Sequence, residues 1–316
     1  MRYKQFGNTG LQVSEMALGT WGIGGAGWDD YSEESRLDAI CAAIENGVNF
    51  IDTAPAYNAG VAERYIGKVM KDLGVRQKMV LATKCGTEFI NGTYVRDCSA
   101  KTIIRQCEES LQNLQTDYID LYMVHWPDVK VPIEETMDAL KQLKQQGKIL
   151  HVAASNFGKE LLEEASQYCP IEAYQTQYSM VFRTNEEALK FAAQQGMGTM
   201  GYGSLGGGIL SGAFRETVTY AESHSRNRFY KHFHEPMFSK VMKLVEVMDG
   251  IAAERHVPLA QIALNWAVQK EFISTCIVGA QSRFKVEENC ASFSWELTQE
   301  EIITLDNAIQ HYLDEE

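Results

Sequence analysis

Eight apolar runs of strand length, alternating with segments of helical periodicity, narrow what this chain can become more than any other feature. Strands are expected at 16–20, 48–52, 79–84, 118–125, 149–155, 173–178, 198–203 and 274–279. Between them, helices are expected from Ser32, at 61–73 and 100–114, from Ile133 to a Gly147 cap, and at 159–168, 184–195 and 258–270. Ser32 is a good start signal because Glu33 and Glu34 follow in the first turn, where the helix dipole favours negative charge. A strand-helix rhythm repeated eight times points to a closed parallel (β/α)8 TIM barrel, with an open doubly wound sheet as the alternative. The 316 residues leave room for insertions in such a barrel. No linker, low-complexity tract or repeat divides the chain, so residues 1–316 are expected to form a single domain.

Two segments stand outside the rhythm. Strand candidates at 2–6 and 11–14, joined by Gly7-Asn8-Thr9-Gly10, read as an N-terminal β-hairpin acting as a lid. Residues 208–257, after the seventh strand, form a polar loop bearing His and Arg and then an extra helix with an apolar face of Val241, Leu244, Val245 and Met248. A long loop on the strand-end side is a candidate substrate lid, and Arg215, Arg226, Arg228 and Lys231 suit it to closing over an anionic ligand.

Three strand ends carry chemistry. The run Val48-Asn49-Phe50-Ile51-Asp52 ends in a carboxylate, and Pro55 then turns the chain toward Tyr57. The next run ends at Lys84 and the following one at His125. Adjacent and parallel, these strands would gather Asp52, Tyr57, Lys84 and His125 at one rim. Asp52 and Lys84 alone could be a structural ion pair, and His125 alone a core histidine. A tyrosine within reach changes the reading. Phenol titrates near 10, and a neighbouring ammonium favours phenolate. A carboxylate would keep that ammonium charged, giving a proton donor and acceptor suited to carbonyl and alcohol interconversion.

Composition removes several other classes. A formal net charge of −13 disfavours nucleic acid and anionic membrane as partners. Seven cysteines without CxxC spacing favour neither a disulfide framework nor zinc, and fit a reduced, cytoplasmic compartment. The first residues lack the apolar stretch of a signal peptide, and no run is long enough for a membrane span. Gly22, Gly24 and Gly27 match G-x-G-x-x-G, but Trp28 to Tyr31 intervene before the helix that a Rossmann fingerprint must open. Gly201, Gly203 and Gly206 match it too, which shows how readily a Gly-rich chain produces the pattern. His224, His232 and His234 lack the further ligands of a closed metal site and read as surface histidines, so no metal is expected.

Taken in order, Gly10-Leu11-Gln12-Val13-Ser14, Leu18-Gly19-Thr20-Trp21, Phe50-Ile51-Asp52-Thr53-Ala54 with Tyr57, Val124-His125-Trp126-Pro127-Asp128 and Ile277-Val278-Gly279-Ala280 closely resemble the aldo-keto reductase superfamily, nearer its bacterial branches. The resemblance runs over essentially the whole chain and makes Asp52, Tyr57, Lys84 and His125 the catalytic tetrad. It implies that Ser155, Asn156 and Gln175 hold a nicotinamide carboxamide and that Tyr202 stacks on the ring. Gly203, Ser204, Leu205 and Gly207 would follow the pyrophosphate, and Ser282, Arg283, Lys285, Glu288 and Asn289 the adenosine end. Gln281, Phe284 and Asn58 depart from the family pattern. The implied cofactor is NADP(H), with NAD(H) as second candidate. The implied substrate is a small carbonyl compound or alcohol, in a pocket of Trp21, Trp126, Phe89 and Tyr230. Potassium channel β-subunits, which share the fold, offer a different reading as a cofactor-sensing scaffold. Substrate, direction of reaction and oligomeric state are not fixed by these residues.

Overall fold

A computed structural model of the chain describes residues 1–90 and 93–314. It opens with the antiparallel pair β1 (Tyr3–Gln5) and β2 (Gln12–Ser14). The barrel begins with β3 (Met16–Gly19), β4 (Phe50–Asp52) and β5 (Val80–Cys85), after which a second hairpin intervenes, β6 (Thr87–Ile90) with β7 (Thr93–Arg96). It resumes with β8 (Ile119–Val124), β9 (Ile149–Ser155), β10 (Ala173–Gln177), β11 (Gly198–Tyr202) and β12 (Thr275–Gly279). All neighbours in the barrel are parallel, and β12 pairs with β3 to close it.

Helices follow the strands. A short α1 (Trp21–Gly24) precedes α2 (Glu33–Glu45), and then come α3 (Val61–Leu73), α4 (Ala100–Leu114), α5 (Ile133–Gln145), α6 (Lys159–Tyr168) and α7 (Glu186–Gln194). The segment after β11 holds α8 (Ser225–Phe229) and the extra helix α9 (Met237–Arg255), followed by α10 (Leu259–Val268), α11 (Arg283–Ala291) and α12 (Gln299–Ile309). Ser32 acts as expected, accepting a backbone N–H as N-cap of α2; Ser99 does the same for α4, and Gly74 ends α3 in the left-handed region.

The strand period of two divides the core. Leu81, Tyr122 and Val124 face outward to the helices, whereas Phe50, Val80, Ala82, Leu121, Met123, Ala153, Ala173 and Met200 fill the barrel. The first hairpin joins that inner cluster through Phe6 and Val13. Phe6 packs edge-on to Phe50 at 5.6 Å, and a side chain on Gly198 would meet its ring. Because Asn8 N–H bonds Gly196 O beside the start of β11, the hairpin plugs the N-terminal end of the barrel; it is no lid over the strand-end rim.

The β6–β7 hairpin went unforeseen. Its sequence signal is the Asn91-Gly92 pair, a strong two-residue hairpin marker, between Phe89-Ile90 and Thr93-Tyr94. No helix among the described residues is long and apolar enough to cross a membrane.

Candidate active site

Alternation along the strands builds the site. Phe50 points inward, so Asp52 does; Val80 and Ala82 point inward, so Lys84 does; Ala153 and Ala173 bring in Ser155 and Gln175. These polar residues occupy the last turns of the pleat at the C-terminal rim, where barrel enzymes carry their chemistry. His125 follows the last residue of β8, and its N–H bonds Cys85 O at 2.9 Å.

At the centre lies a buried ion pair. Lys84 is 1% and Asp52 2% exposed. The Lys84 ammonium donates to Asp52 Oδ1 and Oδ2 at 2.9 and 2.8 Å, to Thr53 O at 2.8 Å, and to the Tyr57 hydroxyl oxygen at 3.2 Å. All of its donor capacity is thereby directed, and the Tyr57 oxygen can aim its own proton only away from Lys84. Burial pulls the Lys84 pKa down, against the attraction of Asp52. Burial first, and then the Asp52 charge, hold the Tyr57 hydroxyl well above its usual value. The resting tyrosine is therefore a phenol, contrary to the expectation that Lys84 lowers its pKa outright.

His125 stands edge-on to Tyr57, with ring centroids 5.9 Å apart. Burial and the Lys84 and Arg96 charges push its pKa well below the usual range, so the imidazole is neutral. Its Nδ1 is buried without a hydrogen-bond partner.

Next to this group, Asn156 adopts a positive φ of 61° and donates to His125 O and Ser155 Oγ at 2.9 and 3.0 Å. Tyr202 donates to Asn156 Oδ1 at 2.9 Å. Gln175 donates to Asp52 Oδ1 at 2.7 Å, which ties it to the ion pair. Beyond Tyr202 the chain turns through Gly203 and then Gly206, Gly207 and Gly208, all at positive φ, where any other residue would be strained. Ser204 is buried and donates to Gly201 O, while Leu205 leads into the glycine run.

Arg226 ties two loops together. Its Nε donates to Gly207 O at 2.9 Å and its Nη1 to Asp29 at 3.0 Å, with the guanidinium over Trp28, Phe214 and Tyr220. Arg215 is likewise held, by Asp249 at 2.6 and 2.8 Å. Two of the four lid cations expected to be available for an anion are thus committed to carboxylates. His232, expected at the surface, is buried, with Nε2 2.7 Å from Gly206 O. No cluster that could hold a metal occurs among the described residues.

Of the four aromatics expected to line a substrate pocket, two join a cluster of rings above Tyr57. Trp21 stacks on Tyr57 at 6.3 Å, and Phe89 lies 4.9 Å from Tyr94. Phe229 and Tyr94, which were not anticipated, link these rings: Phe229 lies 5.3 Å from Trp21 and 6.5 Å from Tyr94. Tyr230 is buried against Gly207, while the Trp126 ring carries the Arg96 guanidinium at 5.0 Å.

At α11, Ser282 is the N-cap residue and Asn289 is buried. Gln261 donates to Glu288 O at 3.1 Å. Gln281 donates to Gly22 O and Asp29 O. Arg283 grips Asp38 at 2.7 Å and Glu45 at 2.7 Å. Lys285 lies 5.9 Å from the Tyr31 ring, and no carboxylate partner is seen for it among the described residues.

The model of the Aldo/keto reductase family matches residues 15–310. The chain belongs to that family. Among its relatives, aldo-keto reductase YhdN of Bacillus subtilis is 35% identical over 95% of this chain and 91% of its own. An NADH-specific methylglyoxal reductase of Escherichia coli is 31% identical over 94% and 95%. Among solved structures, the glycerol dehydrogenase AKR11B4 from Gluconobacter oxydans superposes with a TM-score of 0.90 at 28% identity, covering 99% of this chain and 97% of that one. This aldo/keto reductase is therefore an oxidoreductase of a family that binds nicotinamide cofactors and acts on small molecules. Its own residues fit such a group: His125 Nδ1 is buried without a partner, Ser155, Asn156 and Tyr202 are joined by hydrogen bonds beside it, and left-handed glycines follow β11.

Proposed function

We propose that this aldo/keto reductase interconverts an aldehyde, ketone or sugar carbonyl and the corresponding alcohol by direct hydride transfer, with Tyr57 exchanging the proton. The observation that carries the reading is the Lys84 ammonium bridging Asp52 to the Tyr57 hydroxyl, 2.8 Å from one and 3.2 Å from the other. Burial keeps Tyr57 protonated at rest, so it enters reduction as the acid. Lys84 then stabilises the phenolate left when the proton departs, and Asp52 with Thr53 O fixes the ammonium in place. Neutral His125 offers one N–H to orient and polarise the substrate oxygen. A nicotinamide, when bound, supplies or accepts the hydride. Ser155, Asn156 and Tyr202 would hold its ring, with Gln175 acting through Asp52, and Gly203, Ser204, Leu205 and Gly207 would follow the phosphates.

For the adenosine end we keep NADP(H) as the tighter ligand, but by a narrow margin. Lys285 remains for a 2′-phosphate, whereas Arg283 is already clasped by Asp38 and Glu45. The name of one relative, NADH-specific, also narrows that margin. The scaffold reading is not favoured, since the relatives compared are reductases and a dehydrogenase. All seven cysteines are free, which supports a reducing, cytoplasmic setting.

Tyr57→Phe tests the chemistry. It should bind NADPH nearly as the parent does yet lose roughly 10²-fold or more in turnover, the scale of a missing general acid. Near-parental turnover would remove the reading.

A further inference from the structure

The chain is acidic overall, and most of its arginines are neutralised locally. Arg2, Arg36, Arg76, Arg105, Arg183 and Arg215 each meet a carboxylate, as do Arg226, Arg255 and Arg283. Arg64, Arg96 and Arg228 do not, among the described residues. Arg64 donates to Ala59 O at the start of α3, whereas Arg96 and Arg228 stand beside the aromatic residues above Tyr57. Arg96 lies two residues beyond Tyr94 on β7, so the two side chains share a face of that strand. Its guanidinium rests 5.0 Å above the ring of Trp126, the residue after His125, and its charge reaches the His125 imidazole. From the opposite loop, Arg228 lies 5.5 Å over Phe229, whose ring packs on Trp21 and Tyr94, and its charge reaches the Tyr94 hydroxyl. The two guanidiniums therefore flank Tyr94, one from the β6–β7 hairpin and one from α8.

The nearby acids are occupied elsewhere. Asp97 accepts from Ser99 N–H and the Thr102 hydroxyl, Asp128 from the N–H groups of Cys98 and Lys130, and Glu88 pairs with Arg105. A protein with a net charge of −13 repels anions over most of its surface. Arg96 has only a long 3.5 Å bond to Pro127 O and Arg228 has no carboxylate partner, so two planar donors with free N–H groups stand together here, in the geometry that suits carboxylate or phosphate oxygens.

Resting on the carbonyl-reduction reading, we propose that Arg96 and Arg228 bind an anionic group at the far end of the substrate, so that the preferred substrate is an aldehyde or ketone bearing a carboxylate or phosphate. The aromatic walls of Trp21, Phe229 and Tyr94 would take the carbon skeleton between that end and the carbonyl at Tyr57 and His125.

The test compares matched pairs on the cofactor-loaded enzyme: 4-carboxybenzaldehyde against 4-formylbenzamide, and glyceraldehyde 3-phosphate against glyceraldehyde. At least one charged partner should show a kcat/KM about ten-fold or more above its neutral twin, carried mainly by KM and shrinking as salt is added. An advantage in the first pair alone assigns a carboxylate, and in the second alone a phosphate. Combining Arg96→Gln with Arg228→Gln should bring the ratio toward one. Parent ratios near one with all four compounds reduced would overturn this inference while leaving the reductase reading intact. A preference that survives in the double variant would overturn it too, since the anion would then be read elsewhere. Reduction of none of the four would remove both.

Discussion

Replacing Asp52 with Asn separates a catalytic ion pair from a structural one, because only the catalytic pair makes turnover per folded molecule fall with pH while stability rises. In the parent, the buried Lys84 ammonium is held by Asp52 at 2.8 and 2.9 Å, and burial already lowers its pKa. Asp52→Asn keeps the shape and removes the counter-charge. A buried charge left without its partner costs about 3–5 kcal/mol, unless the group sheds its proton instead. Lys84 should do so, its folded pKa falling further below the unfolded value of about 10.4. Between those two values the unfolded chain binds the extra proton, so the variant's stability rises with pH, by up to about 1.4 kcal/mol per pH unit for one proton. Activity should run the other way. Only charged Lys84 stabilises the phenolate of Tyr57, so turnover per folded molecule should fall as pH rises through the depressed Lys84 pKa. Denaturant melts and turnover across pH 6–9, normalised to the folded fraction, provide both slopes. Reduced stability with parental turnover per folded molecule at every pH would show a structural pair and refute the reasoning.

Two other variants probe the loops and the adenosine end. Asp38→Asn with Glu45→Gln frees Arg283 from its two shortest ion pairs and leaves only Glu287 at 3.5 Å, so the Kd for NADPH should tighten several-fold while that for NADH barely moves. Equal shifts for both cofactors in a fluorescence titration would count against a 2′-phosphate contact here. Asp29→Asn weakens the Arg226 clasp that ties residues 24–31 to the glycine loop, and cofactor release should quicken by roughly two- to five-fold, with faster amide exchange over residues 206–233. Stopped-flow release at the parental rate would mean that the clasp is not what holds the lid.

Period and position are the properties that a sequence displays directly, and both act on this site. Phe50 and Asp52, Val80 and Lys84, Ala153 and Ser155 share the parity of their strands, so once parallel strands are granted the inward-facing polar set is fixed by alternation alone. The barrel and the convergence of Asp52, Lys84 and His125 are legible for that reason, and Tyr57 is brought in by the turn after Pro55. Charge pairing has no such periodicity. Arg226 meets Asp29 across 197 positions and Arg283 meets Asp38 across 245, so composition alone made every loop arginine look equally available. The sign of the Tyr57 shift escaped for a related cause: a nearby ammonium implies a lowered pKa only where burial is small, and burial is a property of the closed barrel. The β6–β7 hairpin is a different case, since Asn91-Gly92 announces it in the sequence. It is this hairpin that carries Tyr94 and Arg96, so the proposed substrate choice would depend on a local signal and on arginines that only the folded chain shows to lack a carboxylate partner.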